Sequence, residues 1–438
     1  MKNRPGVIVS SLVIANFLGQ LMQTMLNTAL PRIMEDLGIQ ENRAQWLITI
    51  YYLVAGITVP VAGFLVGRFT TRALFFTSVG AFAVGTLVTG FSVNFAFILT
   101  GRIIQAAGAG LLMPLFQTTI LRVFPKDKIG SAMGLVGLVM GLAPALGPTL
   151  SGFVVQEHSW RLLFYGIFPV IMANLLLAAF SLRNVGETHQ EKLDLRSILY
   201  STIGFAGLLY GINQAADQGI IAGAYTLGGI LFIVVFIKRQ LKLSVPLLDF
   251  NLFRNRKFTL ASIIGVLIFI VALGVELLLP LYVQNIRGLT PRESGLMLLP
   301  GALLMGVSSV ISGRLYDRYG IRLVLRGGFI IIAAGTLLLT LLVPMHTSIP
   351  LLAAVYTLLM SGVGFIMTPI TAYAMGTVSV TMIVHASPMT ITIRSLASSM
   401  GGVMLIAVMT VSQGIIASFW MLTAVAAAGL FLALFSQK

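Results

Sequence analysis

Cysteine is absent from all 438 residues, which excludes disulfides, thiolate chemistry and cysteine-bound metal together. Charge is scarce: Asp, Glu, Lys and Arg make up only 9% of the chain, against the ~25% of a soluble domain. Histidine occurs four times, and His158, His189, His346 and His385 fall in four separate connecting regions without metal-ligand spacing. No Gly-x-Ser-x-Gly nucleophile turn and no Gly-Lys-Ser/Thr phosphate loop occurs. Gly108-Ala-Gly110 lacks the third glycine and the preceding soluble strand of a dinucleotide site. These gaps point away from an enzyme and leave no metal or cofactor to expect. Without an ATP site, any energy the protein uses must come from an ion gradient or from a substrate flowing downhill.

What remains is apolar. The chain is 57% hydrophobic, with a mean hydropathy of +0.98. About 20 apolar residues span a bilayer as a helix. Fourteen such stretches recur, roughly at 8–31, 44–66, 73–93, 95–118, 129–154, 161–182, 196–216, 222–241, 258–284, 294–313, 324–344, 349–375, 386–411 and 415–436. The fold expected is an all-α membrane protein with 14 transmembrane helices. The first stretch has a basic start, but no small-residue cleavage site follows it and Pro31-Arg32 closes it, so it is expected to stay as helix one.

With the N-terminus inside, 21 Lys and Arg residues face the cytoplasm and 5 face outward, while acids divide six to each side. That is the bias expected of Lys and Arg alone. Both termini are therefore expected in the cytoplasm. The net charge of +15 reads as topology rather than as a nucleic-acid surface.

The fifth stretch organises the chain. Gly134–Gly152 carries no charge, is crowded with glycine, and holds Pro144 and Pro148 within an apolar run. In water glycine and proline weaken a helix; in a bilayer the helix is imposed, because every backbone N–H and C=O must be satisfied inside the segment. Gly130 and Gly134, and one face round Gly137, Gly141 and Ala145, form small-residue rows at i, i+4 that let a neighbouring helix approach closely. The prolines add a bend. Such a helix suits a moving transporter or a merely tightly packed one. The run Gly141, Pro144, Gly147, Pro148 and Gly152 resembles the antiporter motif on the fifth helix of the major facilitator superfamily, which marks exporters more than importers.

Helix one carries Gln20, Gln23, Thr24 and Asn27 as a polar stripe on an apolar helix, facing protein or a wet cavity rather than lipid. Its end, Asn27 to Pro31, resembles the opening motif of the fourteen-helix drug–proton antiporters. Met22 stands where that family usually has an aspartate. Gly63, Arg68 and Arg72 resemble the superfamily's loop motif after helix two, with Gly67 where its aspartate belongs. Gly313, Asp317, Arg318 and Arg322 repeat that pattern at a constant offset of 250, aspartate included. This internal repeat matches the superfamily's two parallel six-helix halves.

Two arginines and one acid lie inside spans. Arg102 on helix four, with Gln105 one turn on and Met113 beyond, resembles the family's arginine motif there. An arginine in a span costs at least ~2.5 kcal/mol unless it finds water or a partner. Arg102 either faces a cavity or snorkels to the outer interface. Arg394 on helix thirteen poses the same choice toward the cytoplasmic side. Glu276 on helix nine is the only carboxylate inside any span. It must face water, pair with Arg102 or Arg394, or bind a proton.

Helices seven and eight form a glycine-rich pair between the repeats, giving a major facilitator fold arranged 6+2+6. The expected domains are an N-terminal bundle at 1–182, a linker with two extra helices at 183–257 and a C-terminal bundle at 258–438, with Arg183–Asp194 as a polar hinge. The link from helix thirteen to fourteen is shorter than the family often has. The resemblance implies a multi-pass transporter of the cell membrane, acting as a monomer and exporting lipophilic drugs against protons by alternating access. Glu276 and Arg102 would couple protons, and Gln20, Gln23, Thr24, Asn27, Gln105, Met113, Glu276 and Arg394 would line the substrate cavity. A cavity so poor in carboxylate should handle neutral, zwitterionic or singly charged lipophiles better than dications. An exporter of a native metabolite or organic anion is the rival within transport, and a non-transporting membrane receptor or scaffold ranks below both.

Overall fold

The computed structural model describes residues 5–185, 194–213, 215–244, 246–379 and 382–435. They form fourteen long helices: α1 Pro5–Leu37, α2 Glu41–Arg68, α3 Thr71–Gly90, α4 Phe95–Val123, α5 Ile129–Glu157, α6 Arg161–Ser181, α7 Leu195–Asn213 and α8 Ala215–Gln240, then α9 Arg256–Asn285, α10 Pro291–Tyr319, α11 Ile321–Leu342, α12 Ile349–Gly376, α13 Ile383–Val411 and α14 Ile415–Phe435. Thirteen are long and apolar enough to cross a membrane among the described residues. The start of α10 is satisfied locally, where Thr290 and Glu293 form a capping box.

Two expectations need correction. Pro31 does not close helix one, because α1 continues through it to Leu37. The extension is held from outside the span: Asp36 accepts hydrogen bonds from Trp160 Nε1 at 3.1 Å and Arg161 Nη1 at 2.6 Å, while Ile33 is fully buried. A proline removes one backbone N–H and bends a helix, and those contacts outweigh that loss. His385 is not in a connection either; it sits in the first turn of α13. His189, and residues 186–193 of the expected hinge, lie outside the described residues.

The chain clusters into two compact units. The first holds residues 1–124, 146–251 and 380–392, and the second holds residues 125–145, 252–379 and 393–438. Thus α5 changes unit between Ala145 and Leu146, directly after Pro144, and α13 changes between Thr392 and Ile393. Within the first unit α3 lies along α4, and α7 along α8, which turns back at Gly219 in a left-handed conformation (φ 40°) open to glycine. The α7–α8 pair is tied at its base by Asp194, whose carboxylate accepts from Arg239 Nε and Nη2 at 2.7 and 2.9 Å. That guanidinium, with Ser197 behind it, pulls the Asp194 carboxyl down to about 2. A depressed carboxylate stabilises above its unfolded value and is lost as pH falls through its folded one. Hydrogen exchange at the start of α7 should therefore accelerate only as pH falls from the ordinary 3.8 toward about 2.

Within the second unit α12 lies between α10 and α11, and α9 packs on α12 and α14.

Candidate functional site

In the first unit Arg102 is fully buried and faces no open space. Its guanidinium stacks 4.1 Å from the ring of Tyr51 on α2. Nε donates to the Leu47 carbonyl and Nη1 to Gln105 Oε1, both at 3.2 Å. Gln105, also fully buried, passes the chain on to Thr86 of α3 at 2.9 Å. Tyr51 in turn donates its hydroxyl to the Gly19 carbonyl of α1 at 3.2 Å. One cation thus fastens α4 to α2 and α3, because a buried guanidinium has to spend its donors on whatever acceptors surround it. Arg102→Ala should lower stability by about 2–4 kcal/mol through lost charged hydrogen bonds and packing. Arg102→Lys should not restore it, since an ammonium lacks the flat face that stacks on Tyr51. Thermal melting of the purified protein reads both.

The polar stripe of α1 sits beside this network. Gln20, Gln23 and Thr24 are half-buried and Asn27 is exposed. Thr24 donates back to Leu21 O at 3.1 Å. Gly147 of α5 meets the Thr24 side chain with no room for a Cβ, and Gly152 lies near Thr28. Met113 is half-buried on α4, and one turn on Gln117 is buried and accepts from Ser387 of α13 at 2.8 Å. Met22, at the position of the missing family aspartate, is buried.

The two copies of the loop motif make matching contacts. In the first unit Gly63 of α2 abuts the start of α13, where a Cβ would lie 2.9 Å from Val384 O and 3.1 Å from Pro388 Cγ. In the second, Gly313 of α10 abuts the start of α5 at Gly130. There Asp317 completes the contact: Oδ1 accepts from Gly130 N–H at 2.7 Å, and Oδ2 from Ser131 N–H at 2.8 Å and Ser131 Oγ at 2.5 Å. A carboxylate belongs there, because the first N–H groups of a helix lack internal partners and carry partial positive charge. In the first unit Gly67 offers no such acceptor. Arg68 stacks on Phe64 and Phe69, and Arg72 closes the end of α6 by donating to Ala179 O and Leu182 O at 2.9 and 3.3 Å. Arg318 lies over Tyr319, and Arg322 is exposed.

From the Asp317 contact the glycine row of α5 runs along α10. Gly134 faces Ser309 and Val310, Gly137 faces Ser309 and Thr368 of α12, and Gly141 faces Gly306 and Ala302. Pro144 and Pro148 are half-buried.

Glu276 also belongs to the second unit, roughly two and a half turns before the end of α9. It is half-buried, and Tyr356 of α12 lies within electrostatic reach. Among the described residues the ion pairs are Arg32–Glu35, Arg161–Asp36 and Arg239–Asp194, so neither Glu276 nor Arg102 nor Arg394 belongs to one. Arg394 is 6% exposed and lies against α9 at Gly265, 5.4 Å from the Phe269 ring. No group of three metal-ligating side chains occurs among the described residues.

Reading the residues in order misses Tyr51, Gln117, Ser131, Ser387 and Tyr356. Each is an ordinary residue made special by a partner on another helix. Only Ser131 carries a signal, since it opens the fifth span beside Gly130.

Fourteen helices, thirteen of them long and apolar enough to span a bilayer among the described residues, with one helix–loop–helix contact built twice, define a multi-pass membrane protein. The chain belongs to the Major Facilitator Superfamily, whose model matches residues 12–402, and it is a transporter rather than an enzyme. It is 43% identical over 408 residues to the uncharacterized MFS-type transporter YcnB of Bacillus subtilis, covering 92% of this chain and 86% of that one. It is 36% identical to the lincomycin resistance protein LmrB of Listeria monocytogenes (94% and 88% covered), and 29% identical to the multidrug transporter protein MdtP of Bacillus subtilis (94% and 77%). Among solved structures the human organic anion transporter MFSD10 (TETRAN) superposes with a TM-score of 0.74 over 99% of this chain and 100% of that one. At 16% identity that likeness is one of fold.

Proposed function

We propose that this protein exports lipophilic drugs or toxic small molecules across the cell membrane in exchange for protons, with both termini in the cytoplasm and a monomer as the working unit. The observation that carries the reading is Glu276. Among the described residues every other acid lies within three residues of a long helix's end or in a connection, so Glu276 alone of them sits deep in a span. Half-buried and without an ion pair among the described residues, it suits a group that takes up and releases a proton as substrate leaves and enters. The names of LmrB and MdtP favour drugs as the cargo.

Substrate would bind near the membrane midplane. The halves at 1–182 and 258–438 would rock, with 183–257 linking them, and α5 would bend next to Pro144. Gly141, Gly147 and Gly152 would let it do so against close neighbours. Asp317, on the start of α5, would hold the gate from the cytoplasmic side, and Gly67 leaves the other copy without that hold. Gln20, Gln23, Thr24, Asn27 and Met113 would line the cavity. The buried setting of Arg102 and Gln105 favours a fastening role, through which Arg102 would position the cavity wall. With a single acid available, monocations and zwitterions should be extruded better than dications.

The test is efflux of a fluorescent dye from cells, with and without an uncoupler. Efflux that the uncoupler stops supports the proposal. Efflux indifferent to it favours a metabolite exporter driven by the substrate's own gradient, and no efflux removes the drug assignment.

A further inference from the structure

One buried cation in the second unit leaves hydrogen-bond donors unpaired among the described residues. Arg394 is 6% exposed, yet its Nε and Nη2 make no hydrogen bond. Like Arg102 it enters no ion pair among the described residues, but Arg102 spends Nε and Nη1 on hydrogen bonds and leaves only Nη2 unpaired. A guanidinium withdrawn from water without acceptors is costly and calls for an anion or another acceptor.

Its seat is shaped for it. Nε and Nη2 lie 2.9 Å from where a Cβ on Gly265 would stand, so only glycine admits the guanidinium against α9 there. The Phe269 ring, 5.4 Å from Cζ, supplies the aromatic wall. Ser262, one turn before Gly265, has a second buried oxygen without a partner. Farther along, Gly401 meets Ile270, and Leu405 meets Gly274, so α13 follows α9 in the same direction.

Gly265, Phe269, Ala272 and Glu276 recur at i, i+4, i+7 and i+11, which places them on one face of α9. That face carries the seated guanidinium near one end and the lone carboxylate about 16 Å away, at 1.5 Å rise per residue. Apolar positions fill the interval. A ligand matching this spacing has an anionic group at one end and an apolar or cationic body reaching toward the acid.

We propose that Arg394 is an anion-binding subsite and that the substrates are lipophiles bearing a carboxylate or comparable monoanion, zwitterions included. The inference rests on the reading of the chain as an exporter of lipophiles, and it narrows which ones. A planar guanidinium holds a carboxylate through two parallel hydrogen bonds. Substrate would supply the acceptors that the protein withholds from Nε and Nη2.

The experiment uses a matched pair of dyes, rhodamine B with its free carboxylate and the ethyl ester of rhodamine B. Binding to the purified full-length protein in lipid nanodiscs is followed by fluorescence polarisation. The wild type should bind the acid more tightly than the ester. Arg394→Gln should weaken the acid about tenfold to a hundredfold, the worth of a lost charge-assisted pair, and leave the ester within about twofold. Arg394→Lys should recover part of the acid's affinity. Gly265→Ala keeps the charge but intrudes on its seat; it should weaken the acid selectively even if Arg394→Gln fails to fold. Equal binding of both dyes by the wild type, or an equal loss of both in Arg394→Gln or Gly265→Ala, would overturn the subsite. Efflux from cells is measured in parallel. If cells extrude neither dye while the purified protein still prefers the acid, the export reading fails and the subsite stands.

Discussion

Glu276→Gln is expected to abolish proton-driven efflux, bringing dye retention to that of cells lacking the transporter, while the protein still inserts and folds. Glutamine keeps the shape and most of the hydrogen-bonding capacity of a protonated glutamate but has no proton to exchange. No ion pair is broken by the change, because none is made at Glu276 among the described residues. Removing a charge from a half-buried place inside a span does not expose a buried partner either, so melting temperature should hold or rise. The pattern to look for is a transport defect without a stability defect. Glu276→Asp, one methylene shorter, should transport slowly but retain its dependence on the pH gradient. Unchanged pH-dependent efflux in Glu276→Gln would refute the coupling role.

Gly137→Val is expected to disrupt the packing of the second unit. A Cβ at Gly137 would lie 2.5 Å from both Cβ and Oγ of Ser309 and closer still to Thr368 Oγ1, so α5 could not keep its place on α10 and α12. Overpacking of this kind costs about 1–3 kcal/mol where neighbours can shift. Here a buried helix backbone stands behind them, since Ser309 Oγ already donates to Met305 O at 3.0 Å and Gly364 O at 3.1 Å. The variant should melt several degrees lower and lose transport. Gly67→Ala is the contrasting control, because a Cβ there meets nothing within 4 Å. If Gly137→Val matched the wild type in melting and efflux, the close seat of α5 would not matter to function.

The spans were legible because hydropathy is local: a residue's transfer free energy does not depend on which helix it will touch. Ten of the fourteen stretches needed at most three residues of adjustment at either end, whereas α4 and α10 ran five and six residues farther, α8 began seven earlier, and helix one gained a turn and a half past Pro31. That error has a physical origin. The stop signal of a proline is local, but the contacts of Asp36 with Trp160 and Arg161 that override it come from residues 124 and 125 positions away. The glycine row of α5 could be seen as a row, yet the sequence could not say that it seats α10. Arg102 shows the same limit. Its cost inside a span is a property of arginine, but its partner Tyr51 is one of 11 tyrosines with nothing to single it out. Asp317 stood out through the repeat at offset 250, while its partner Ser131 was marked only by its place beside Gly130 at the opening of the fifth span.

The most direct test of the account is proton release by the purified protein when substrate binds. In weakly buffered solution at neutral pH, adding rhodamine B ethyl ester at saturating concentration to the wild type should acidify the medium by about one proton per protein, and by none in Glu276→Gln. Wild-type protein that binds the dye and releases no proton, or Glu276→Gln protein that releases as many, would contradict it.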